Sequence, residues 1–204
     1  MRRTLFNNML FLLGVIVSAA LLLPAKAAAH LVTTGMGPVY DGIGHLLLTP
    51  EDLVPAIAMA LYAGLRGRAP GRQALFYFPL AWLLGGFIGL GAEIMPSFPL
   101  TAISFLLVGI LIAADLRLPA HVFAGLAAAV GIMHGFLNGI ALKTGPGGLG
   151  LLGIMAALFV IVAIISACIV SLKPPWTRIV VRVAGSWVAA MGLLMIGWFF
   201  RGQG

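Results

Sequence analysis

Long apolar runs separated by short polar joints make up the chain after residue 30. Five such runs lie at about 74–95, 99–116, 119–142, 149–172 and 179–200. Each is close to the ~20 residues that a helix needs to cross a bilayer. Prolines mark the joints between the runs, at Pro70, Pro96, Pro99, Pro119, Pro146, Pro174 and Pro175. The pattern predicts an all-α membrane helix bundle.

A further apolar run, at about 39–65, is interrupted near its middle. Its first part is too short to cross a bilayer alone and leads into Thr49, Pro50, Glu51 and Asp52. Thr49 suits an N-cap, Pro50 suits the first helical position, and the two acids suit the positive end of the helix dipole. We therefore expect a half-helix followed by a longer helix, which brings the number of spans to six. Glu51 and Asp52 are interpreted here as capping and dipole acids.

The first 29 residues are typical of a secretory signal peptide. Arg2 and Arg3 precede an apolar stretch at 10–23, and small residues at 24–29 provide a cleavage site of the A-x-A type. The alternative is an uncleaved first membrane helix. Residues 30–204 are expected to form a single membrane domain.

Composition excludes a soluble globular enzyme and a disordered chain. Of the 204 residues, 62% are hydrophobic and 8% are charged, whereas soluble domains carry about 25% charged residues. Cys168 is the only cysteine, so no internal disulfide or CxxC site can form. No P-loop, GxSxG or HExxH motif is present. We therefore predict that the protein is not an enzyme.

The net charge of +7 is interpreted as an orientation signal and not as a nucleic-acid-binding surface. If six spans alternate, seven basic residues fall on one side of the membrane: Arg66, Arg68, Arg72, Arg117, Lys173, Arg178 and Arg182. Only Lys143 and Arg201 fall on the other side. The positive-inside rule then predicts an inner-membrane protein with both termini facing the periplasm or exterior.

Glycines spaced four apart in two spans predict close contacts between helices. Gly131, Gly135 and Gly139 form two consecutive GxxxG steps in one span, and Gly85 and Gly89 form another step in an earlier span. Small residues at this spacing let helix backbones approach each other in lipid. Side chains next to these glycines are therefore expected in the interior of the bundle.

Ionisable groups within membrane spans are expensive and are candidates for function. Two polar pairs have the i, i+4 spacing that places both members on one helix face, and one acid closes a span. On the predicted topology they lie in the outward half of the membrane, where they would suit a borderline divalent metal such as nickel, cobalt or zinc. The candidate ligands are Asp41 with His45, His134 with Asn138, Glu93, and His30 at the mature N-terminus.

Structural roles are the alternatives for these candidates. Asp41 would be a helix cap with His45 packed near it. His134 and Asn138 would bond to each other or to a backbone carbonyl, and Glu93 would be a solvated interfacial acid.

Two short segments resemble the motifs of the HupE/UreJ membrane proteins. His134, with Asn138 and the glycines beside them, resembles the HGxxHGxE-type signature, and the segment Gly42-Ile-Gly-His45-Leu-Leu resembles part of the HPxxGxDHxLxM motif. Asn138 stands at the position of the second histidine of the first signature. Pro38, Gly44 and Ala141 stand where these motifs carry a histidine, an aspartate and a glutamate. Asp41, one turn before His45, is a candidate substitute for the missing aspartate.

The resemblance implies a permease for nickel or cobalt, with the transported ion as the ligand and no tightly bound cofactor. Its implied partners are the lipid bilayer and a metalloenzyme, such as hydrogenase or urease, or the maturation proteins of that enzyme. The alternative is a non-transporting membrane subunit or assembly factor for a metalloenzyme.

Overall fold

The computed structural model describes residues 33–93, 96–172 and 174–202. The predicted signal peptide and His30 lie outside the described residues. The described part of the chain contains seven α-helices and no strand. They are α1 (Pro38–Leu48), α2 (Pro50–Arg66), α3 (Arg68–Leu90), α4 (Leu100–Ala113), α5 (Ala120–Leu142), α6 (Gly147–Ser171) and α7 (Trp176–Arg201).

Four of these helices, α3, α5, α6 and α7, are long and apolar enough to cross a membrane. The α1–α2 pair meets the same criterion only as a unit and is bent by 78° between its two helices. Helix α4 has 14 residues, a length of ~21 Å against a hydrocarbon core of about 30 Å. The predicted helical membrane bundle is confirmed. The described chain shows four such spans, or five with the bent pair, and six crossings stay a prediction.

The predicted break in the first apolar run is present at Thr49. A residue before proline is pushed out of the helical region, and Thr49 adopts an extended conformation with φ −104° and ψ 99°. Pro50 occupies the start of α2, as predicted. Thr49 does not cap α2 with its side chain. Its backbone serves both helices instead, since its N–H donates to the His45 carbonyl at 3.0 Å and its carbonyl accepts from Asp52 N at 3.0 Å.

Helices α3 and α5 pack backbone to backbone through the predicted glycines. A Cβ added at Gly135 would overlap the Trp82 carbonyl, and one added at Gly139 would overlap the Gly86 carbonyl. The residue numbers of the contacting pairs increase in the same direction along both helices, so α3 and α5 run parallel. The close approach predicted from the GxxxG steps is confirmed.

Two further helix contacts depend on glycine. Helices α4 and α7 run antiparallel, with Gly109 against Ala189 and Gly192 against Leu106. Helix α1 crosses the beginning of α6, where Gly42 meets the Gly150 backbone. The short α1 is therefore held against α6 by direct backbone contact.

An ionic cluster joins three helix ends. Arg66 at the end of α2 and Arg178 in the first turn of α7 both bind the carboxylate of Asp115, which directly follows α4. Burial raises the pKa of Asp115, but the hydrogen bonds from Arg178 and Arg66 outweigh it and hold that pKa below its ordinary value. At another joint, Lys143 Nζ donates to the Ala92 carbonyl at 3.1 Å and links the ends of α5 and α3. These contacts join helix ends that would lie on the same side of the membrane if the six predicted spans alternate in direction.

The glycine contact between α3 and α5 can be tested within one helix. Gly135→Ala should lower the free energy of unfolding by about 1–3 kcal/mol, because the new methyl group forces the two backbones apart. Gly125→Ala is the matched control, since nothing lies within 4 Å of its added Cβ. It should leave stability unchanged or raise it by up to about 1 kcal/mol through helix propensity. Both values come from denaturant titration of the purified protein, and equal losses would contradict the contact.

Candidate metal centre

A group of polar side chains lies inside the apolar bundle where α1, α2, α4 and α5 meet. We call it the Asp52 cluster, and its members are His45, Asp52, Ser104, His134 and Asn138. Taken as whole residues, the members other than His45 are at most 5% exposed. Asp52 is in the first turn of α2, 14 residues or ~21 Å before Arg66. The Asp52 cluster therefore lies toward the opposite end of α2 from the ionic cluster around Asp115.

The helical register of α2 buries Asp52. Positions 56, 59, 60 and 63 follow it at the spacings that share one helix face, and all four are buried alanine or methionine. Glu51, one residue earlier, is exposed. Asp52 does lie in the first turn of α2, where the helix dipole favours an acid, but it does not cap the helix, because its side chain lies on the packed face and bonds to α5.

Three side chains surround the Asp52 carboxylate. Its Oδ1 is 3.1 Å from Nδ1 of His134, and its Oδ2 accepts a hydrogen bond of 2.8 Å from Nδ2 of Asn138. Nε2 of His45 lies 3.8 Å from the same Oδ2. A buried carboxylate is tolerated only with such partners. His134 and Asn138, on successive turns of α5, thus hold Asp52 jointly and do not bond to each other.

Ser104 determines which imidazole nitrogen of His134 carries a proton. The single hydroxyl hydrogen of Ser104 is donated to the Thr101 carbonyl at 2.8 Å. Its oxygen, 2.9 Å from His134 Nε2, must therefore accept, so Nε2 bears hydrogen. Nδ1 of His134 then faces Asp52, and a hydrogen bond there requires one proton between Nδ1 and Oδ1.

Two further features shape the interior of the Asp52 cluster. The Trp82 indole stacks on the His134 ring, with centroids 5.1 Å apart and an interplanar angle of 20°. Oδ1 of Asn138 is buried and has no hydrogen-bond partner among the described residues. The amide cannot be reversed to satisfy this oxygen, because the Asp52 carboxylate needs a donor. Oδ1 of Asn138 is therefore available as a ligand oxygen, because it forms no competing hydrogen bond among the described residues.

The structure brings together three of the predicted ligands, namely His45, His134 and Asn138. It does not place Asp41 with them, since Oδ1 of Asp41 accepts bonds from N and Oγ1 of Thr34 at 2.6 and 2.7 Å. Glu93 is exposed beyond the end of α3. The carboxylate beside these ligands is Asp52 instead, and neither Ser104 nor Trp82 was predicted from the sequence.

Two imidazoles, a carboxylate and an amide oxygen are a donor set suited to a borderline divalent ion. Among the described residues, however, no three His, Cys, Asp or Glu side chains are arranged as metal ligands. Here the donors of the Asp52 cluster mostly bond to one another. Several long apolar helices around a buried, internally paired polar cluster are typical of a multi-pass membrane protein.

Comparison with known proteins identifies the family. The family described as "HupE / UreJ protein" matches residues 18–195, so the chain belongs to this family. A curated relative, "Protein HupE" of Rhizobium leguminosarum bv. viciae, is 26% identical over 184 residues, covering 87% of this chain and 94% of the relative. No solved structure matches the chain significantly. The resemblance inferred from His45 and His134 is thus confirmed.

Replacing His134 tests the pairing within the Asp52 cluster. His134→Ala should destabilise the protein by about 3–5 kcal/mol, because it removes a partner from a buried carboxylate. His121→Ala, an exposed histidine in the same helix, should leave stability unchanged. Denaturant titration of both purified variants gives the comparison. A stable His134→Ala protein would show that Asp52 does not depend on the imidazole.

Proposed function

We propose that the protein is a secondary transporter that admits a divalent transition-metal ion, nickel or cobalt, from the outward side of the inner membrane. The observation that carries this proposal is the Asp52 cluster, a buried carboxylate with an imidazole on either side. Membership of a family linked to nickel and cobalt handling agrees with it. Burying ionisable side chains inside a membrane bundle is energetically unfavourable, so their presence there is typical of a site through which an ion passes.

The chemistry of the Asp52 cluster favours exchange of a proton for a metal ion. A bound ion would take Oδ1 or Oδ2 of Asp52, Nδ1 of His134, Nε2 of His45 and the unpartnered Oδ1 of Asn138. The proton between His134 and Asp52 must leave when the metal binds, since metal ligands bind in their deprotonated forms. Metal uptake should therefore weaken as the pH falls.

His45 occupies the entry side of this proposed site. Its side chain is 16% exposed, against 7% for Asp52 and 0% for His134. An entering ion would thus meet His45 before the buried pair. The membrane potential favours entry, since moving a 2+ ion alone inward across 100 mV is favoured by about 4.6 kcal/mol, and each proton carried outward in exchange reduces this by about 2.3 kcal/mol. No ATP-binding motif is needed for this step.

Replacing Asp52 tests this function against a neighbouring acid. Asp52→Asn should lower nickel and cobalt accumulation by about tenfold or more, as expected when a group that binds or orients metal is lost. Glu51→Gln removes the same charge one residue away, at an exposed position, and should accumulate metal like the parent. Metal content is measured in cells that contain equal amounts of membrane-inserted protein. Parental accumulation by Asp52→Asn would exclude the Asp52 cluster as the route.

Orientation follows from the ionic end of the bundle. Arg66, Arg178 and Arg182 lie at the end that the positive-inside rule assigns to the cytoplasm, and Asp52 lies toward the other end. We expect a reporter fused after Arg201 to be non-cytoplasmic and one fused near Gly71 to be cytoplasmic. Alkaline phosphatase and green fluorescent protein fusions measure this directly, and the reverse pattern would make the Asp52 cluster face the cytoplasm.

A non-transporting membrane subunit or assembly factor for a metalloenzyme is the second candidate. One observation favours it: the donors of the Asp52 cluster already bond to each other, as expected of a structural core. Pro38, Gly44 and Ala141 also provide no ligand at three family motif positions. Unchanged metal accumulation in Asp52→Asn, together with loss of stability, would favour this candidate over transport.

A further inference from the structure

A groove of about 450 Å³ lies between the first turns of α3 and the last turns of α6. Arg68 and Arg72 line one part of it, while Leu75, Ala163, Ala167 and Val170 supply apolar surface. The groove belongs to the basic end of the bundle, because α3 begins two residues after Arg66. It is separate from the Asp52 cluster.

The two arginines of the groove differ from other basic residues at the same end. Arg66 and Arg178 bind Asp115, and Arg182 donates to the Ala113 carbonyl at 2.9 Å. Arg68 and Arg72 are exposed, and within the described ranges no hydrogen bond or ion pair involves either side chain. They lie one helical turn apart, so both guanidinium groups can reach one anion.

Among the described residues that line the groove, no side chain neutralises these two charges, since none of them is acidic. Its two serines are satisfied by their own helix, since Ser166 donates to the Val162 carbonyl at 2.6 Å and Ser171 to the Cys168 carbonyl at 2.8 Å. The remaining lining is apolar. The groove thus combines two cations that have no partner in the described part of the chain with a surface suited to hydrocarbon.

We propose that this groove binds one anionic glycerophospholipid, with its phosphate between Arg68 and Arg72 and an acyl chain along Ala163 and Ala167. Guanidinium groups bind phosphate oxygens through paired hydrogen bonds, and basic pockets between membrane helices suit anionic headgroups. A zwitterionic lipid carries its own cation and gains less from this site. The bound lipid would fasten the start of α3 to the end of α6.

The headgroup contact is tested by native mass spectrometry of the purified full-length protein, titrated with phosphatidylglycerol or phosphatidylcholine. One phosphatidylglycerol should be retained in preference to phosphatidylcholine. Arg68→Gln and Arg72→Gln should each weaken its retention about fivefold, the equivalent of about 1 kcal/mol for one basic residue. Arg117→Gln removes the same charge outside the groove and should have no effect. Equal retention of the two lipids, or an equal loss in Arg117→Gln, would overturn the proposal.

The acyl-chain contact has a test of its own that keeps both arginines. Ala167→Phe fills the groove and should reduce phosphatidylglycerol retention, because the chain is displaced. Ala129→Phe places the same ring at an exposed position of α5 and should retain the lipid like the parent. Parental retention by Ala167→Phe would show that no acyl chain occupies the groove and would reject the site.

Discussion

A carboxylate buried among apolar helices needs hydrogen-bonding partners, and the partners of Asp52 connect several helices of this bundle. Asp52 comes from α2, and its partners His134 and Asn138 come from α5. Oγ of Ser104, from α4, accepts a hydrogen bond from Nε2 of His134, and His45 of α1 lies at the edge of the Asp52 cluster. Four helices thus meet at one carboxyl group, and burying its charged form without these partners would be unfavourable by several kcal/mol.

The glycine contacts and this pairing support each other. Gly135 lets α5 approach the Trp82 backbone, and the same approach stacks the Trp82 ring on His134. The break at Thr49 has a similar double effect, because it begins α2 just before Asp52 and leaves His45 in the last turn of α1. The close backbone packing therefore positions the polar side chains, so that a few of them are enough to pair the buried Asp52 carboxyl group.

Much of the fold was predictable because its signals are local. The apolar runs predicted α3, α4, α5, α6 and α7, and Pro50 predicted the break at Thr49. The 14-residue length of α4 was not predicted from its run at 99–116, because an apolar run does not show where a helix ends. The site was harder to predict from the sequence, because His45 and Asp52 are distant from His134 along the chain and only helix packing brings them together. The register of Asp52 with the buried alanines of α2 was a signal for its burial, but Thr49 and Pro50 before it led to the interpretation as a helix-start acid.

The central claim, that the Asp52 cluster is a route for a divalent metal ion, is tested most directly by X-ray absorption spectroscopy of the purified full-length protein loaded with nickel. The account predicts one nickel ion per chain with the outer-shell scattering of two imidazoles, supplied by His45 and His134, alongside oxygen ligands. A nickel ion surrounded only by oxygen, or no stoichiometric nickel at all, would contradict it.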